Sequence, residues 1–201
     1  DVKYAEELGF RIKHLGIARR AETGIELRVH PTLIPEDQLI ANVNGVKNAV
    51  LVQANAVGPT LYYGAGAGAG PTASAVIADV VDIVRDISYT EDGAGTIPQL
   101  AFEALTDLPI LSREEMTTGY YIRINAEDQT GVLADVTTIL SRAGISIDAI
   151  MQQPRLKDLI PIVILTDPVI ESKMDAALAQ IQALPVIHGE IVRIRLETLE
   201  N

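Results

Sequence analysis

The chain from residue 120 onward alternates strand and helix patterns in an order that few folds accept. Its strand-like stretches are 120–125, 145–152, 159–166 and 192–196. A helix pattern follows Gly131, and a second follows Asp167, which we expect to cap that helix with Pro168 in its first turn. The third strand-like stretch is apolar without interruption, which indicates a central strand. The order βαββαβ predicts a ferredoxin-like sheet with both helices on one face.

The first part of the chain has strand-like stretches joined by turns. They cover 10–19, 25–30, 48–55 and 60–63. Because their connections are turns, we expect antiparallel pairing. A helix pattern over 72–86 follows. We therefore predict an α+β fold: an antiparallel-rich sheet with a packed helix, followed by the ferredoxin-like βαββαβ domain.

The helix predicted over 72–86 has an unusually broad apolar side. Three- and four-residue spacing places one stripe on it, formed by Val76, Ile77, Val80, Val81 and Val84. Ile83 widens this stripe, which indicates burial between two layers. A single sheet of short strands covers only one side, so we expect a second partner for the helix.

A run of alternating glycine and alanine at 64–70 comes just before this helix. Gly64 to Ala69 fits the dinucleotide fingerprint G-x-G-x-x-A. A complete site also needs a parallel strand after the helix, with an acidic residue at its end, but Asp82 and Asp86 still lie in the helix pattern. A flexible connector is the alternative. At most, the glycines make an accessory contact to a cofactor that is held elsewhere.

Composition excludes several classes of function. The 201 residues carry a net charge of −11, which argues against nucleic acid and anionic membranes as partners. The absence of cysteine excludes disulfides and is compatible with a cytoplasmic protein. The histidines, His14, His30 and His188, have no acidic neighbour at ligand spacing, so we predict structural roles for them and no metal site.

The turn Asp128-Gln129-Thr130-Gly131-Val132-Leu133 is the candidate binding site of the second domain. Gly131 brings the chain to a helix start, where free N–H groups can hold a carboxylate, and Asp128 can accept from an ammonium group. Ser146 or Asp148 would complete an amino-acid site. In the alternative, which the residues alone favour, Asp128 or Thr130 caps the helix and Gly131 only turns the chain.

Two resemblances cover nearly the whole chain. Residues 120–196 resemble an ACT domain, through the Asp-x-x-Gly-Val-Leu turn at 128–133 and the run Val163-Ile164-Leu165-Thr166. The first part resembles the C-terminal part of the catalytic region of bacterial homoserine dehydrogenases. The stretches that carry this second resemblance are 8–18, 26–35, 43–50, 62–68 and 71–74.

The resemblance implies an NAD(P)H-dependent reduction of aspartate 4-semialdehyde to homoserine, on the route to threonine, methionine and isoleucine. In this family the nucleotide-binding domain and the catalytic lysine lie upstream of the position of Asp1. The first helix pattern is already in progress at Asp1, and no Met precedes it. We therefore expect this chain to be a piece of a longer one. The piece would contain no catalytic residue, bind no cofactor tightly and be inactive alone.

The resemblance also implies a different role for each part of the chain. Residues 1–88 would belong to the catalytic and dimerisation domain, 89–118 to a connector, and 119–201 to the ACT domain. Gly68, with Gly66, would lie at the cofactor, and the strands around 11–63 would form a homodimer or homotetramer. Threonine would act at Asp128, Gly131, Val132, Leu133 and Asp148. A stand-alone amino-acid-binding and dimerisation module is the alternative.

Overall fold

A computed structural model describes residues 1–89, 106–154 and 159–199. The chain forms two compact units, Asp1–Ala41 with Leu108–Asn201, and Asn42–Asp107. In chain order the elements are α1 (Val2–Glu7), β1 (Phe10–Arg20), β2 (Ile25–Pro35), β3 (Lys47–Ala54), β4 (Gly58–Ala65), α2 (Ala69–Tyr89), β5 (Thr117–Glu127), α3 (Val132–Arg142), β6 (Ile147–Gln152), β7 (Leu159–Ile170), α4 (Glu171–Gln182) and β8 (Val192–Leu196).

A six-stranded sheet forms the first unit, in the order β1-β2-β8-β5-β7-β6. The prediction of a βαββαβ order is confirmed by β5 to β8, and β7 lies between β5 and β6 as its unbroken apolar pattern indicates. Pairing is antiparallel except between β2 and β8, where Thr32 and Leu33 pair in parallel with Arg195 and Leu196. The hairpin β1–β2 therefore extends the sheet of the C-terminal region, which the sequence did not predict.

Both faces of this sheet carry buried apolar side chains. Tyr120 and Ile122 face the core formed with α3 and α4. Tyr121, the next residue along β5, points to the opposite face because side chains alternate along a strand. There it belongs to a second cluster with Ala5 of α1 and Leu33 of β2. Residues before position 41 thus cover a face that the βαββαβ pattern alone leaves open.

The start of α4 differs from the prediction. Asp167 and Pro168 lie within β7, and α4 begins at Glu171. The strand continues because Val169 and Ile170 still pair with β5, and the Glu171 amide then donates a 2.8 Å hydrogen bond to the carbonyl of Met116. Pairing with a neighbouring strand outweighs the local preference of Asp-Pro to begin a helix.

In the described part of the second unit, an antiparallel hairpin, β3–β4, precedes the helix α2. The four predicted strands of the first part are confirmed as strands, but β1–β2 and β3–β4 belong to separate sheets. The predicted helix is also confirmed. Its apolar residues are exposed in this structure, with Val76 at 54%, Ile77 at 60% and Val84 at 56% of their full accessible surface.

The predicted boundaries at 88 and 119 stay a prediction. The compact units divide the chain elsewhere, because β1 and β2 join the sheet of the C-terminal region. Much of the predicted connector lies outside the described residues. Within the described ranges, no helix is long and apolar enough to span a membrane.

Leu33→Ala tests whether β2 is integral to the C-terminal sheet. Leu33 is fully buried in the second cluster, so we expect the substitution to lower the free energy of unfolding by about 2–5 kcal/mol. Leu27→Ala, on the same strand but 46% exposed, is the matched control and should cost about 0.5 kcal/mol or less. Urea unfolding of both variants gives the comparison. Equal costs would contradict the buried position of Leu33.

Candidate functional site

The glycine-rich turn connects β4 to α2. Gly68 has φ +123°, a conformation that side chains disfavour, and it directly precedes the first residue of α2. Its carbonyl accepts a 3.1 Å hydrogen bond from the amide of Thr72, in the first turn of the helix. Gly68 is therefore required by the backbone path into α2.

Gly66 is required for a different reason. Its φ is not in the left-handed region, but a Cβ atom there would lie 1.8 Å from Nδ2 of Asn48, on β3. By contrast, a Cβ atom at Gly64 or Gly70 would meet nothing within 4 Å. The turn thus contains glycines with distinct physical roles, and Asn48 contributes a contact that the sequence did not indicate.

Gly131 forms the turn before α3 in the second candidate site. It occupies the N-cap position with φ +99°, and no side chain hydrogen-bonds to cap the helix. The alternative in which Asp128 or Thr130 is the cap is therefore not the arrangement seen. An uncapped helix N-terminus on a glycine turn has the amide donors that a carboxylate would need.

His188 lies beside this turn and pairs with an acidic residue that its sequence neighbourhood does not contain. Its Nε2 is 2.7 Å from Oε1 of Glu127, at the end of β5. The amide of Glu127 also donates a 2.9 Å hydrogen bond to the carbonyl of Val186. The partners are 61 residues apart, so only the pairing of β5 with the chain before β8 brings them together.

Asp128 and Asp148 lie at opposite ends of the sheet within one chain. Asp148 comes directly after Ile147, which pairs with Thr166 of β7. Asp128 comes directly after β5, whose last residue pairs with Leu159 of the same strand. At the usual rise per residue these ends are about 20 Å apart. A single chain therefore does not assemble both carboxylates into one pocket, and their roles stay predictions.

A buried carboxylate, Glu171 at the start of α4, organises a cluster of charged side chains that the sequence did not reveal. It is fully buried and accepts a 2.6 Å hydrogen bond from the Tyr120 hydroxyl and a 3.0 Å one from Nε of Arg195. Arg193 and Arg113 approach it within 3.3 and 3.5 Å. Burial acts to raise the pKa of Glu171, but these donors and positive charges lower it on balance.

A second buried ionic cluster lies where β2 meets β8. Glu197 binds the guanidinium groups of both Arg28 and Arg19, and Nε of Arg28 is also 2.7 Å from Oε1 of Glu26. His30 follows on the same face of β2, where burial lowers its pKa. Among the described residues, no group of three or more potential ligands is placed to hold a metal ion.

Comparison with known proteins gives the same assignment from both parts of the chain. The homoserine dehydrogenase family model matches residues 1–81, and the ACT domain model matches residues 120–186. The chain is 56% identical to a homoserine dehydrogenase of Pseudomonas aeruginosa over 203 aligned residues, covering 99% of this chain and 46% of that protein. The chain matches the C-terminal part of homoserine dehydrogenases.

Other relatives support the same family. A homoserine dehydrogenase of Neisseria gonorrhoeae is 48% identical over the whole chain and 46% of its own length. The crystal structure of a homoserine dehydrogenase from Thiobacillus denitrificans superposes with a TM-score of 0.89 at 57% identity, covering 100% of this chain and 45% of that one. The chain thus spans slightly under half the length of these oxidoreductases.

Glu171→Gln tests the cluster around the buried carboxylate. The change leaves three arginine side chains without their shared negative partner, so we expect the free energy of unfolding at neutral pH to fall by about 3 kcal/mol. Glu190→Gln, at an exposed position, is the control and should change it by about 0.5 kcal/mol or less.

The same variant has a defined pH signature. Because the pKa of Glu171 is lower in the fold than its ordinary value of 4.5, its contribution is present above pH 4.5 and is lost as pH falls below it. The difference between wild type and Glu171→Gln should therefore shrink as the pH is lowered from 6 to 3 in urea unfolding. A difference that stays constant over this range would contradict an ionised Glu171.

Proposed function

We propose that this chain is the C-terminal part of a cytoplasmic homoserine dehydrogenase that reduces aspartate 4-semialdehyde to L-homoserine with NAD(P)H. The product would supply threonine, methionine and isoleucine synthesis. The observation that carries the proposal is the 56% identity to the Pseudomonas enzyme across 99% of this chain, through both the glycine turn and the ACT region. An ACT domain alone occurs in proteins of unrelated activity.

The glycine turn is the part of the chain that would meet the cofactor. Gly66 and Gly68 present backbone without side chains, so a nucleotide could approach closely. This fits an accessory contact to a nicotinamide cofactor held by an upstream nucleotide-binding domain. The cofactor would supply the hydride, and this chain would orient it from one side. The catalytic lysine would also lie upstream.

The exposed stripe of α2 agrees with such an arrangement. On this helix Val76, Ile77 and Val84 are all more than half exposed. Apolar side chains exposed together are unfavourable in water and mark a surface that another surface covers. In the proposed enzyme an upstream domain would cover this stripe, and a second copy of the chain would form a dimer or tetramer with the first.

A fusion protein tests the proposed activity. The fusion joins the upstream part of the Pseudomonas relative to Asp1 of this chain. It should oxidise NADPH when aspartate 4-semialdehyde is added, whereas this chain alone should give no turnover. The assay follows the loss of NADPH absorbance. Turnover by the isolated chain, or a folded fusion that binds NADPH but never reduces the aldehyde, would contradict the proposal.

The ACT region would regulate this activity through L-threonine. We propose that the α3 turn holds the effector, with Asp128 accepting from its ammonium group and the amides after Gly131 donating to its carboxylate. Val132 and Leu133 would line the same turn. Because Asp148 lies at the opposite end of the sheet, it would complete the site from a second copy of the chain.

Calorimetry with L-threonine tests this regulatory site. We expect binding to the wild-type chain at millimolar threonine and a loss of about tenfold in affinity for Asp128→Asn, which removes a charge-assisted hydrogen bond. Asp135→Asn, in the first turn of α3, is the control for a general loss of charge there. Equal affinities in all three proteins would exclude Asp128 from the site.

A stand-alone regulatory module is the second candidate. It is favoured by the way residues 1–41 cover the face of the C-terminal sheet opposite α3 and α4, so that this unit has its own core. The two experiments separate the candidates. Threonine binding without turnover in the fusion protein would favour the module, and turnover would favour the enzyme.

A further inference from the structure

Asn48 and Gly66 occupy adjoining space at the glycine turn. Asn48 lies at the start of β3 and pairs with Gly64 of β4. Two residues later the chain turns back over its side chain, so a Cβ atom at position 66 would be 1.8 Å from Asn48 Nδ2, 2.7 Å from its Cγ and 3.2 Å from its Cβ. The carboxamide therefore fills the volume that any side chain at position 66 would need.

This contact gives a reason for glycine at 66 that differs from the usual one. The backbone conformation does not require it, since Gly66 has no positive φ, unlike Gly68. Close approach of a cofactor does not have to be invoked either, because a protein side chain already excludes a Cβ atom there. The two contacts under 3.0 Å come from the carboxamide group and its carbon; the Asn48 Cβ atom, at 3.2 Å, is tight only by a few tenths of an ångström.

We propose that Asn48 is a positioning residue for the cofactor-binding turn. Its carboxamide supports the backbone of Gly66 and thereby sets the path from β4 to Gly68. This inference rests on the proposed function only in that Gly66 and Gly68 are taken to contact a nicotinamide cofactor. It adds that the shape of residue 48, and not the cofactor, dictates glycine at position 66.

A double-substitution cycle in the fusion protein tests the proposal, with NADPH affinity measured by its fluorescence. Gly66→Ala alone should weaken NADPH binding about tenfold, in the range of coupling between contacting residues. Adding Asn48→Ala removes the clash, so Gly66→Ala/Asn48→Ala should bind NADPH as well as Asn48→Ala alone. Gly64→Ala, where a methyl group meets nothing within 4 Å, is the matched control and should bind like wild type.

Two outcomes would overturn the proposal. If the double variant binds as weakly as Gly66→Ala, the methyl group at 66 blocks the cofactor itself, and Asn48 is not the cause. If Gly66→Ala binds like wild type, the contact has no effect on the turn. The KM for aspartate 4-semialdehyde should stay unchanged in all variants. A general loss of structure would instead change this KM together with the affinity for NADPH.

A second readout separates this inference from the proposed activity. If the wild-type fusion protein binds no NADPH, the proposed function fails. The contact between Asn48 and position 66 is then tested by the melting temperatures of this chain and its variants. Gly66→Ala should then lower the melting temperature, Gly64→Ala should leave it unchanged, and the double variant should match Asn48→Ala. No effect of Gly66→Ala on the melting temperature would overturn the contact.

Discussion

The parallel contact between β2 and β8 is the interaction on which the first unit depends. It is short, with Thr32 and Leu33 opposite Arg195 and Leu196, yet it adds a whole hairpin to the C-terminal sheet. Glu197, directly after β8, pairs across this contact with the buried Arg28 of β2 and with the partly exposed Arg19 of β1. Without this contact β8 would be an exposed edge strand, the kind of edge that invites non-native pairing.

The charged residues near this contact specify the arrangement more than they stabilise it. Burying Glu171 and Glu197 costs desolvation, which their arginine partners offset only in the native geometry. A shifted register of β8 would separate Arg195 from Glu171 and leave a buried charge unpaired. An unpaired buried carboxylate thus strongly destabilises an incorrectly paired sheet, whereas apolar side chains such as Leu196 would tolerate several strand registers.

The sequence predicted elements well and their partners poorly. Periodicity identified the strands and both helices of the C-terminal region, since each pattern arises within a few residues. It could not show that β1–β2 pairs with β8, because that choice depends on residues such as Arg28 and Glu197, 169 positions apart. The start of α4 was wrong for the same reason: Ile170 pairs with Thr117, and that distant contact overrides the local Asp-Pro signal.

The same reasoning limits how the ACT region can be separated from the rest. Its family model spans residues 120–186, which excludes α1, β2 and even β8. A chain cut to those bounds would expose the face that carries Tyr121, Val163 and Leu165, since Ala5 and Leu33 cover it here. Burial there raises the pKa of Tyr121 to about 12, and its hydroxyl donates a 2.8 Å hydrogen bond to Asp1. The sheet of the ACT region and the strands β1 and β2, which match the homoserine dehydrogenase family model, are therefore one structural unit, although the two family models divide them.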